Sequence, residues 1–295
     1  MQLKYIAFTL LAILIWSGNT VVSKMAASVI EPAVISFYRW LLAALVLTPF
    51  LLRPVWQNRA TIRPHFFKLL LLSLLGMVLY QSLGYFAAEA TSATNMGIIV
   101  SLMPLLTLLL AGLLLGESTS VGTLFGGLLS LGGLLVLISE GEPARLLTHG
   151  VGYGDALMLM ATLAYSCYGV FLHKWTMPIP TWQMLYVQVC LAVVLLFPGY
   201  WLAPSSPISV TNFPLVLYAG VAASVIFPYL WMEGISGLGA ARASMYINLM
   251  PVFTALIAIL LLSEKLHTYH LIGGGVTLIG VILAQTLQRH KPNRN

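Results

Sequence analysis

The fold is indicated by a stretch of sequence that occurs twice: SLMPLLTLLLAGLLLGE at residues 101–117, and NLMPVFTALIAILLLSE at residues 248–264. Both copies carry a Met-Pro pair near the start, a long apolar run and a final glutamate, and they are offset by 147 residues. A gap-free register that aligns proline and glutamate as well as apolar residues is typical of an internal repeat. The chain is therefore expected to contain two related halves.

The repeat extends beyond these two segments. The same offset pairs glycines that follow them, Gly126 with Gly273 and Gly133 with Gly280. Nearer the start of each half, an offset of 149 residues makes three further pairs: Trp16 with Tyr165, Ser17 with Ser166, and Arg39 with Gln188. We interpret residues 1–138 as the first repeat and 155–288 as the second, with a linker at 139–154 and a tail at 289–295.

The composition is suited to lipid rather than to water. Hydrophobic residues make up 59% of the 295 residues and charged residues only 7%, whereas a soluble domain carries about a quarter charged residues. The net charge of +6 comes from basic residues that sit singly between apolar runs, which disfavours a nucleic-acid partner. The spacing of the cysteines and histidines predicts neither a disulfide nor a metal site, and no cofactor is expected.

Ten apolar segments approach the roughly 20 helical residues that cross a hydrocarbon core. They predict an all-α polytopic membrane protein with ten transmembrane helices, the first of which lacks a signal-peptide cleavage site and is expected to be retained. The predicted spans are Tyr5–Lys24, Val34–Leu52, Leu69–Ala88, Thr94–Leu115, Val121–Ile138, Asp155–Lys174, Trp182–Ala203, Pro214–Glu233, Ala241–Ser263 and Thr268–Gln285.

The positions of Lys and Arg residues predict the orientation. With the N-terminus inside, ten of them fall on the cytoplasmic side and three outside, while Arg39 lies within a span. Both termini are therefore predicted to be cytoplasmic and the linker periplasmic. Because each half has five spans, the second half is inverted relative to the first. Such repeats typically form a transport site at their interface near the membrane midplane.

Short motifs follow one another in a fixed order along nearly the whole chain. They are Ile15-Trp16-Ser17-Gly18-Asn19 with Lys24, Ser36-Phe37-Tyr38-Arg39-Trp40 with Ala43-Ala44, Gly154-Asp155, and the segments from Met103-Pro104 to Glu117 and from Met250-Pro251 to Glu264. In this order they resemble the EamA-type members of the drug/metabolite transporter superfamily. The resemblance implies ten helices, a bacterial inner membrane, and export or exchange of amino acids, other metabolites or drugs. The second half departs from the pattern, since Tyr165, Gln188 and His173 stand in place of Trp16, Arg39 and Lys24.

Polar and aromatic side chains inside the spans are the candidate substrate-binding residues. On the first span, Trp16, Asn19 and Thr20 can share one helical face, which in lipid must turn toward protein or water. The full set is Trp16, Asn19, Thr20, Arg39, Tyr80, Gln81, Tyr85, Asn95, Tyr165, Tyr168, Tyr229, Trp231, Tyr246 and Asn248. Together they indicate a cavity with aromatic walls that suits neutral or zwitterionic amphipathic molecules. Each residue taken singly is open to a role in helix packing or at the membrane interface.

Arg39 is the clearest ionisable group within a span, about 9 Å along its helix at 1.5 Å per residue. Its planar guanidinium could bind a substrate carboxylate through two hydrogen bonds. It could equally be structural, bonded to carbonyls or extended toward the interface, and Lys24 is open to the same two interpretations. The acidic residues fall at span ends, where Glu117 and Glu264 are expected to anchor helix termini.

Pro104 and Pro251 occupy equivalent positions within predicted helices, where a proline frees the carbonyl four residues earlier. They are interpreted either as hinges between moving half-helices or as packing kinks with no part in transport. Glycines on the fifth and tenth spans predict close packing within the chain, with dimerisation as the alternative; a monomer is favoured.

These observations favour a secondary transporter that exports small amphipathic metabolites, such as amino acids, by alternating access. A multidrug exporter is the main alternative, and a passive channel is another. An intramembrane enzyme would need paired catalytic groups at depth, which the spans lack, so the chain is not expected to be an enzyme. The expected partners are a small-molecule substrate and the lipid bilayer.

Overall fold

The computed structural model describes residues 2–116, 121–142, 144, 151–238 and 246–287, which fold almost entirely into helices. We number the helices in chain order. They are α1 (Gln2–Ala26), α2 (Pro32–Gln57), α3 (Arg59–Ala90), α4 (Ala93–Val100 and Met103–Leu115), α5 (Val121–Ile138), α6 (Tyr153–Lys174), α7 (Thr181–Leu202), α8 (213–238), α9 (Tyr246–Leu249 and Met250–Leu262) and α10 (Thr268–Thr286).

The predicted all-α polytopic fold is confirmed. Within the described residues, seven helices are long and apolar enough to cross a membrane, and the shorter apolar helices α5, α9 and α10 account for the other three predicted spans. Large apolar side chains cover the outside of the bundle: Leu113 and Leu260, for example, are 81% and 80% exposed. Such an extensive apolar surface is suited to contact with lipid.

Some predictions fall outside the described residues. These are the role of Glu117, residues 143 and 145–150 of the linker, the start of the ninth span before residue 246, and the 289–295 tail.

The two halves are interleaved. Helix α1 of the first half packs against α8 and α9 of the second, and α6, which opens the second half, packs against α3 and α4 of the first. Helix α2 pairs with α7, and α5 pairs with α10. Exchanging the halves maps this set of contacts onto itself, as expected of two repeats related by a two-fold axis. Any site at the centre is therefore built from both halves.

Glycines let α5 and α10 approach backbone to backbone. A Cβ built on Gly126 would lie 2.6 Å from the carbonyl oxygen of Gly280, and one on Gly133 would lie 2.6 Å from the carbonyl oxygen of Gly273. Both distances are shorter than normal carbon–oxygen contacts, so a larger residue would push the helices apart. The glycine-rich faces thus pack against each other within one chain.

The sequence predicted that the two Met-Pro pairs lie in helix interiors. The structure shows instead that both pairs lie at the start of a helical segment. Helix α4 is interrupted at Ser101 and Leu102, and Pro104 falls in the first turn of the segment that follows. Helix α9 begins with a 3-10 turn at Tyr246–Leu249, and Pro251 again falls in the first turn of the next segment. A proline in the first turn lowers helix stability little, because the first N–H groups of a helix have no intrahelical partner.

Helices α3 and α8 each contain a π-helical stretch, at Ser73–Leu79 and at Tyr218–Ile226. The two stretches end 147 residues apart, at repeat-equivalent positions, and are followed directly by Tyr80 and Phe227. π-helical turns occur frequently at functional sites. Here they precede two aromatic residues that face the centre of the bundle.

Candidate functional site

Arg39 lies at the centre of the bundle with its side chain completely buried. Its Nη1 donates to Gln81 Oε1 at 2.7 Å, to the Tyr85 hydroxyl at 3.1 Å and to Asn19 Oδ1 at 3.3 Å. Its Nε and Nη2 both donate to Ser224 Oγ, at 3.3 and 2.9 Å. Helices α1, α3 and α8 therefore hold the guanidinium in a fixed position.

All four hydrogen-bond partners of Arg39 are neutral side chains. Among the described residues Arg39 forms no ion pair; the rings of Trp40 and Tyr85 lie 5.1 and 5.8 Å from its Cζ. Removing a charged group from water without a counter-charge costs several kcal/mol, and hydrogen bonds to neutral groups offset that cost only in part. The centre of the bundle therefore carries a net positive charge.

A small chamber adjoins Arg39. Its volume is 20 Å³, roughly the space that one water molecule needs. Aromatic rings form much of its wall: Trp16 Nε1 donates to the Tyr80 hydroxyl at 3.1 Å, and the rings of Tyr80 and Tyr165 lie 4.7 Å apart. The lining residues are Trp16, Asn19, Arg39, Tyr80, Gln81, Tyr165, Ala223 and Phe227.

Half of the predicted site residues meet at this chamber. Six of them line it, and Tyr85 joins them through its hydrogen bond to Arg39. The six are Trp16, Asn19, Arg39, Tyr80, Gln81 and Tyr165. They come from α1, α2, α3 and α6, and therefore from both repeats.

Four other predicted residues lie close to these seven without lining the chamber. The Thr20 hydroxyl donates back to the Trp16 carbonyl at 3.4 Å, so it bonds within its own helix. The rings of Tyr168 and Trp231 pack against lining residues, at 5.2 Å from Tyr165 and 6.4 Å from Phe227. Tyr246 packs against the core cluster that contains Trp16 and Tyr80.

The remaining three predicted residues do not join the chamber. Tyr229 stacks on Trp182 of α7 with ring centroids 5.8 Å apart and is 42% exposed. Asn95 faces a separate cavity, where its Nδ2 donates to Asp155 Oδ1 at 3.4 Å. Asn248 is partly buried in the turn that opens α9 and is not a lining residue.

The sequence did not single out Ser224, Ala223 or Phe227. Phe227 could have been found, because it lies 147 residues after Tyr80. Ser224 sits in an apolar run with no polar neighbour to mark it. Gln188, the repeat counterpart of Arg39, is also buried, but it donates to the Met184 carbonyl at 3.3 Å and does not line the chamber.

A second cavity of 660 Å³ opens at the predicted periplasmic end. We call it the outer vestibule; it is lined by residues that include Lys24, Asn95, Asp155 and Glu264. The Asp155 carboxylate is only 8% exposed and accepts hydrogen bonds from Thr91 Oγ1 at 2.5 Å and from Asn95. A carboxylate thus links the start of α6 to the turn between α3 and α4.

Two further polar contacts hold the helix ends around the outer vestibule. The Glu264 carboxylate accepts hydrogen bonds from the backbone N–H groups of Ala93 and Thr94, at 2.8 and 3.2 Å. It therefore caps the start of α4, since a negative charge is stabilised at a helix N-terminus. Lys24 Nζ donates to the Ala88 carbonyl at 2.6 Å, which turns this side chain toward α3.

Comparison with known proteins shows relatives over most of the length of the chain. A transporter of Bacillus subtilis, YyaM, described as uncharacterized, is 26% identical over 291 residues, which cover 95% of this chain and 93% of the relative. An uncharacterized transporter of Archaeoglobus fulgidus is 26% identical over 95% of this chain and 96% of its own length. A WAT1-related protein of Arabidopsis thaliana is 27% identical over 85% of this chain and 73% of its own.

A solved crystal structure shares the fold, with a TM-score of 0.65 and 18% sequence identity over 98% of this chain and 99% of that one. The model of the EamA-like transporter family matches twice, at residues 3–139 and 152–286. Since these two matches together cover nearly the whole sequence, the chain belongs to the EamA-like transporter family.

Proposed function

We propose that the chain is a secondary transporter of a bacterial inner membrane that exports small amphipathic metabolites, such as amino acids, by alternating access. The observation that carries this proposal is the buried polar and aromatic chamber between the two repeats. Ligand sites are mostly apolar pockets with a few convergent polar groups, and in inverted-repeat transporters they lie at the repeat interface.

The dimensions of the chamber favour a carrier over a channel. A channel needs a continuous path, whereas a space of 20 Å³ holds about one water molecule and admits no metabolite without movement of the helices. Outside this chamber, the outer vestibule offers 660 Å³. A substrate can therefore pass from the outer vestibule to the chamber only when the helices around the chamber separate, as alternating access requires.

The chemistry of the lining favours binding over catalysis. The eight lining residues include no carboxylate, histidine, lysine or cysteine. General acid–base or nucleophilic catalysis depends on such groups, and Arg39 and the buried tyrosines are poor substitutes for them at neutral pH. The lining instead supplies amide and hydroxyl groups, one cation and stacked rings.

Counterflow in proteoliposomes tests the proposal. Vesicles with the purified chain would be loaded with an unlabelled mixture of amino acids and organic acids, and uptake of one labelled member measured at a time. A carrier gives transient accumulation that saturates with concentration. Protein-free vesicles and vesicles with Trp16→Ala serve as controls. Linear, non-saturating flux would support a channel. A parallel assay with cationic dyes tests the alternative, and flux of the dyes alone would support a multidrug exporter.

A further inference from the structure

The chamber combines a fixed cation with the absence of a matching anion among the residues that line it. Four neutral side chains from α1, α3 and α8 fix the guanidinium of Arg39. An arginine with a purely structural role inside a membrane is usually paired with a carboxylate or with backbone carbonyls. No hydrogen bond of Arg39 within the described residues goes to either group. The arrangement positions the charge and leaves it uncompensated.

The acceptors around Arg39 can be replaced by a ligand. Gln81, Asn19 and Tyr85 all accept from Nη1, which has two hydrogens for three acceptors. Nη2 carries two hydrogens and donates one of them to Ser224 Oγ. The other has no hydrogen-bond partner among the described residues. A carboxylate beside Nη1 and Nη2 could engage both groups at once, and charge-assisted bonds of this kind are roughly twice as strong as neutral ones.

The rest of the chamber suits the organic part of such a ligand and offers nothing ionic to an ammonium group. Trp16, Tyr80, Tyr165 and Phe227 form the aromatic wall. The lining residues contain no carboxylate that could pair with a positive charge. A cation at this site would be repelled by Arg39 at short range and in low dielectric, where such repulsion is large.

We infer that the chamber binds an organic anion, with the carboxylate on Arg39 and an apolar or aromatic body against the rings, in preference to a zwitterion or a cation. This inference rests on the proposed transport function for its biological setting and narrows its substrate class. Amino acids, which carry an ammonium group beside the carboxylate, rank below simple carboxylic acids of the same shape. Cationic drugs rank lowest.

Four compounds that share a phenyl ring test the charge preference directly. They are phenylacetate, phenylalanine, phenylacetamide and phenethylamine, which are anionic, zwitterionic, neutral and cationic. Binding to the purified full chain in detergent would be followed by the rise of its thermal midpoint with ligand concentration. Phenylacetate should give the largest shift and phenethylamine none. Equal shifts for the two, or no shift with phenylacetate, would overturn the inference.

Gln81→Glu separates a binding role of Arg39 from a structural one. The substitution places a carboxylate beside Nη1, where the amide oxygen now lies 2.7 Å away. It should neutralise the buried charge, so the Tm without ligand should rise while the Kd for phenylacetate increases by at least about tenfold, the scale of one lost charge-assisted contact. Unchanged phenylacetate affinity in this variant would overturn the inference.

Matched variants control for side effects of the new charge and for misfolding. Gln183→Glu makes the same substitution where the amide oxygen accepts from Asn58 Nδ2, outside the chamber, and should leave phenylacetate binding unchanged. If Gln81→Glu does not fold, Arg39→Gln, which removes the charge, must abolish the preference for phenylacetate over phenylacetamide. A preference that survives in Arg39→Gln would overturn the inference.

Transport measurements distinguish a failure of this inference from a failure of the proposed function. Saturable counterflow of phenylalanine without any of phenylacetate would leave a transporter but refute the anion site. Selective binding of phenylacetate without counterflow of any compound would keep the anion site and count against the proposed transport.

Discussion

The Ser17 hydroxyl in α1 donates a hydrogen bond to the backbone carbonyl of Met250, 3.4 Å away in α9. Its repeat counterpart, Ser166 in α6, lies 3.3 Å from the carbonyl oxygen of Met103 in α4 and shares its single proton between that carbonyl and the Thr162 carbonyl of its own helix, 2.8 Å away. Each of these carbonyls belongs to the residue before a proline. The first helix of each half is thus bonded to the interrupted helix of the other half, beside the central chamber.

Pro104→Ala and Pro251→Ala should each slow transport more than they weaken binding. Alanine supplies the N–H that proline lacks, which lets the two segments of α4 or α9 join into one stiffer helix. We expect a several-fold lower initial rate of counterflow with a ligand-induced Tm shift near that of the wild type. Pro49→Ala, within α2, is the control and should transport normally. Wild-type rates in both variants would leave the interruptions with a packing role alone.

Trp16→Ala, Asn19→Ala and Tyr85→Ala should each reduce counterflow while the protein remains in the membrane. Trp16 and Asn19 line the chamber, and Tyr85 accepts from Arg39. Loss of such contacts typically costs about 1–3 kcal/mol, which corresponds to a decrease of about fivefold to a hundredfold.

Tyr229→Ala is the matched control for these three variants, because Tyr229 stacks on Trp182 away from the chamber. It should transport at the wild-type rate. Normal counterflow in all three chamber variants, measured at equal protein content, would place the substrate elsewhere.

Reporter fusions can establish the orientation, which rests on the charge distribution in the sequence. A fusion at Asn295 should report the cytoplasm, and one inserted in the 139–154 linker should report the periplasm. Alkaline phosphatase and green fluorescent protein, which are active on opposite sides, provide the two readouts. The same location for both fusions would refute the inverted arrangement of two five-helix repeats.

Gly280→Ala should lower the Tm of the purified protein. Its new Cβ would lie 2.4 Å from the backbone nitrogen of Ser130 in α5, and overpacking of this kind costs about 1–3 kcal/mol. Gly132→Ala on α5 is the control, because no atom lies within 4 Å of its Cβ position, and it should melt at or above the wild-type midpoint. Equal Tm values for the two variants would mean that α5 and α10 can separate at no cost.

The sequence was sufficient to predict the helical spans and the repeat, because lipid demands long apolar runs and duplicated segments keep their prolines and glycines in register. The sequence also predicted that Trp16, Asn19 and Arg39 belong to one site. This succeeded because α1 and α2 are regular α-helices, in which residue spacing defines the face on which a side chain lies.

On α8 the sequence singled out Tyr229 and Trp231 and missed Phe227, which lines the chamber. The π-helical stretch at Tyr218–Ile226 adds residues to the turn, so later side chains no longer point where a period of 3.6 would place them. Phe227 faces the chamber, whereas Tyr229 points to α7. The positions of Pro104 and Pro251 within their helices were also misjudged, because a turn at Ser101 and Leu102 and a 3-10 turn at Tyr246–Leu249 place both prolines in the first turn of a helical segment.

The difference between Arg39 and Gln188 bears on the ancestry of the chain. In a dimer of two identical five-helix polypeptides, a mutation that introduced Arg39 would have introduced it twice, on both sides of the pseudo-symmetry axis. Two uncompensated guanidinium groups in one bundle would have repelled each other and doubled the cost of burial. Fusion of the two copies into one gene removes that constraint, because each half can then mutate alone. A single positive charge at the centre therefore requires two halves that differ in sequence, a condition that one chain carrying both halves meets.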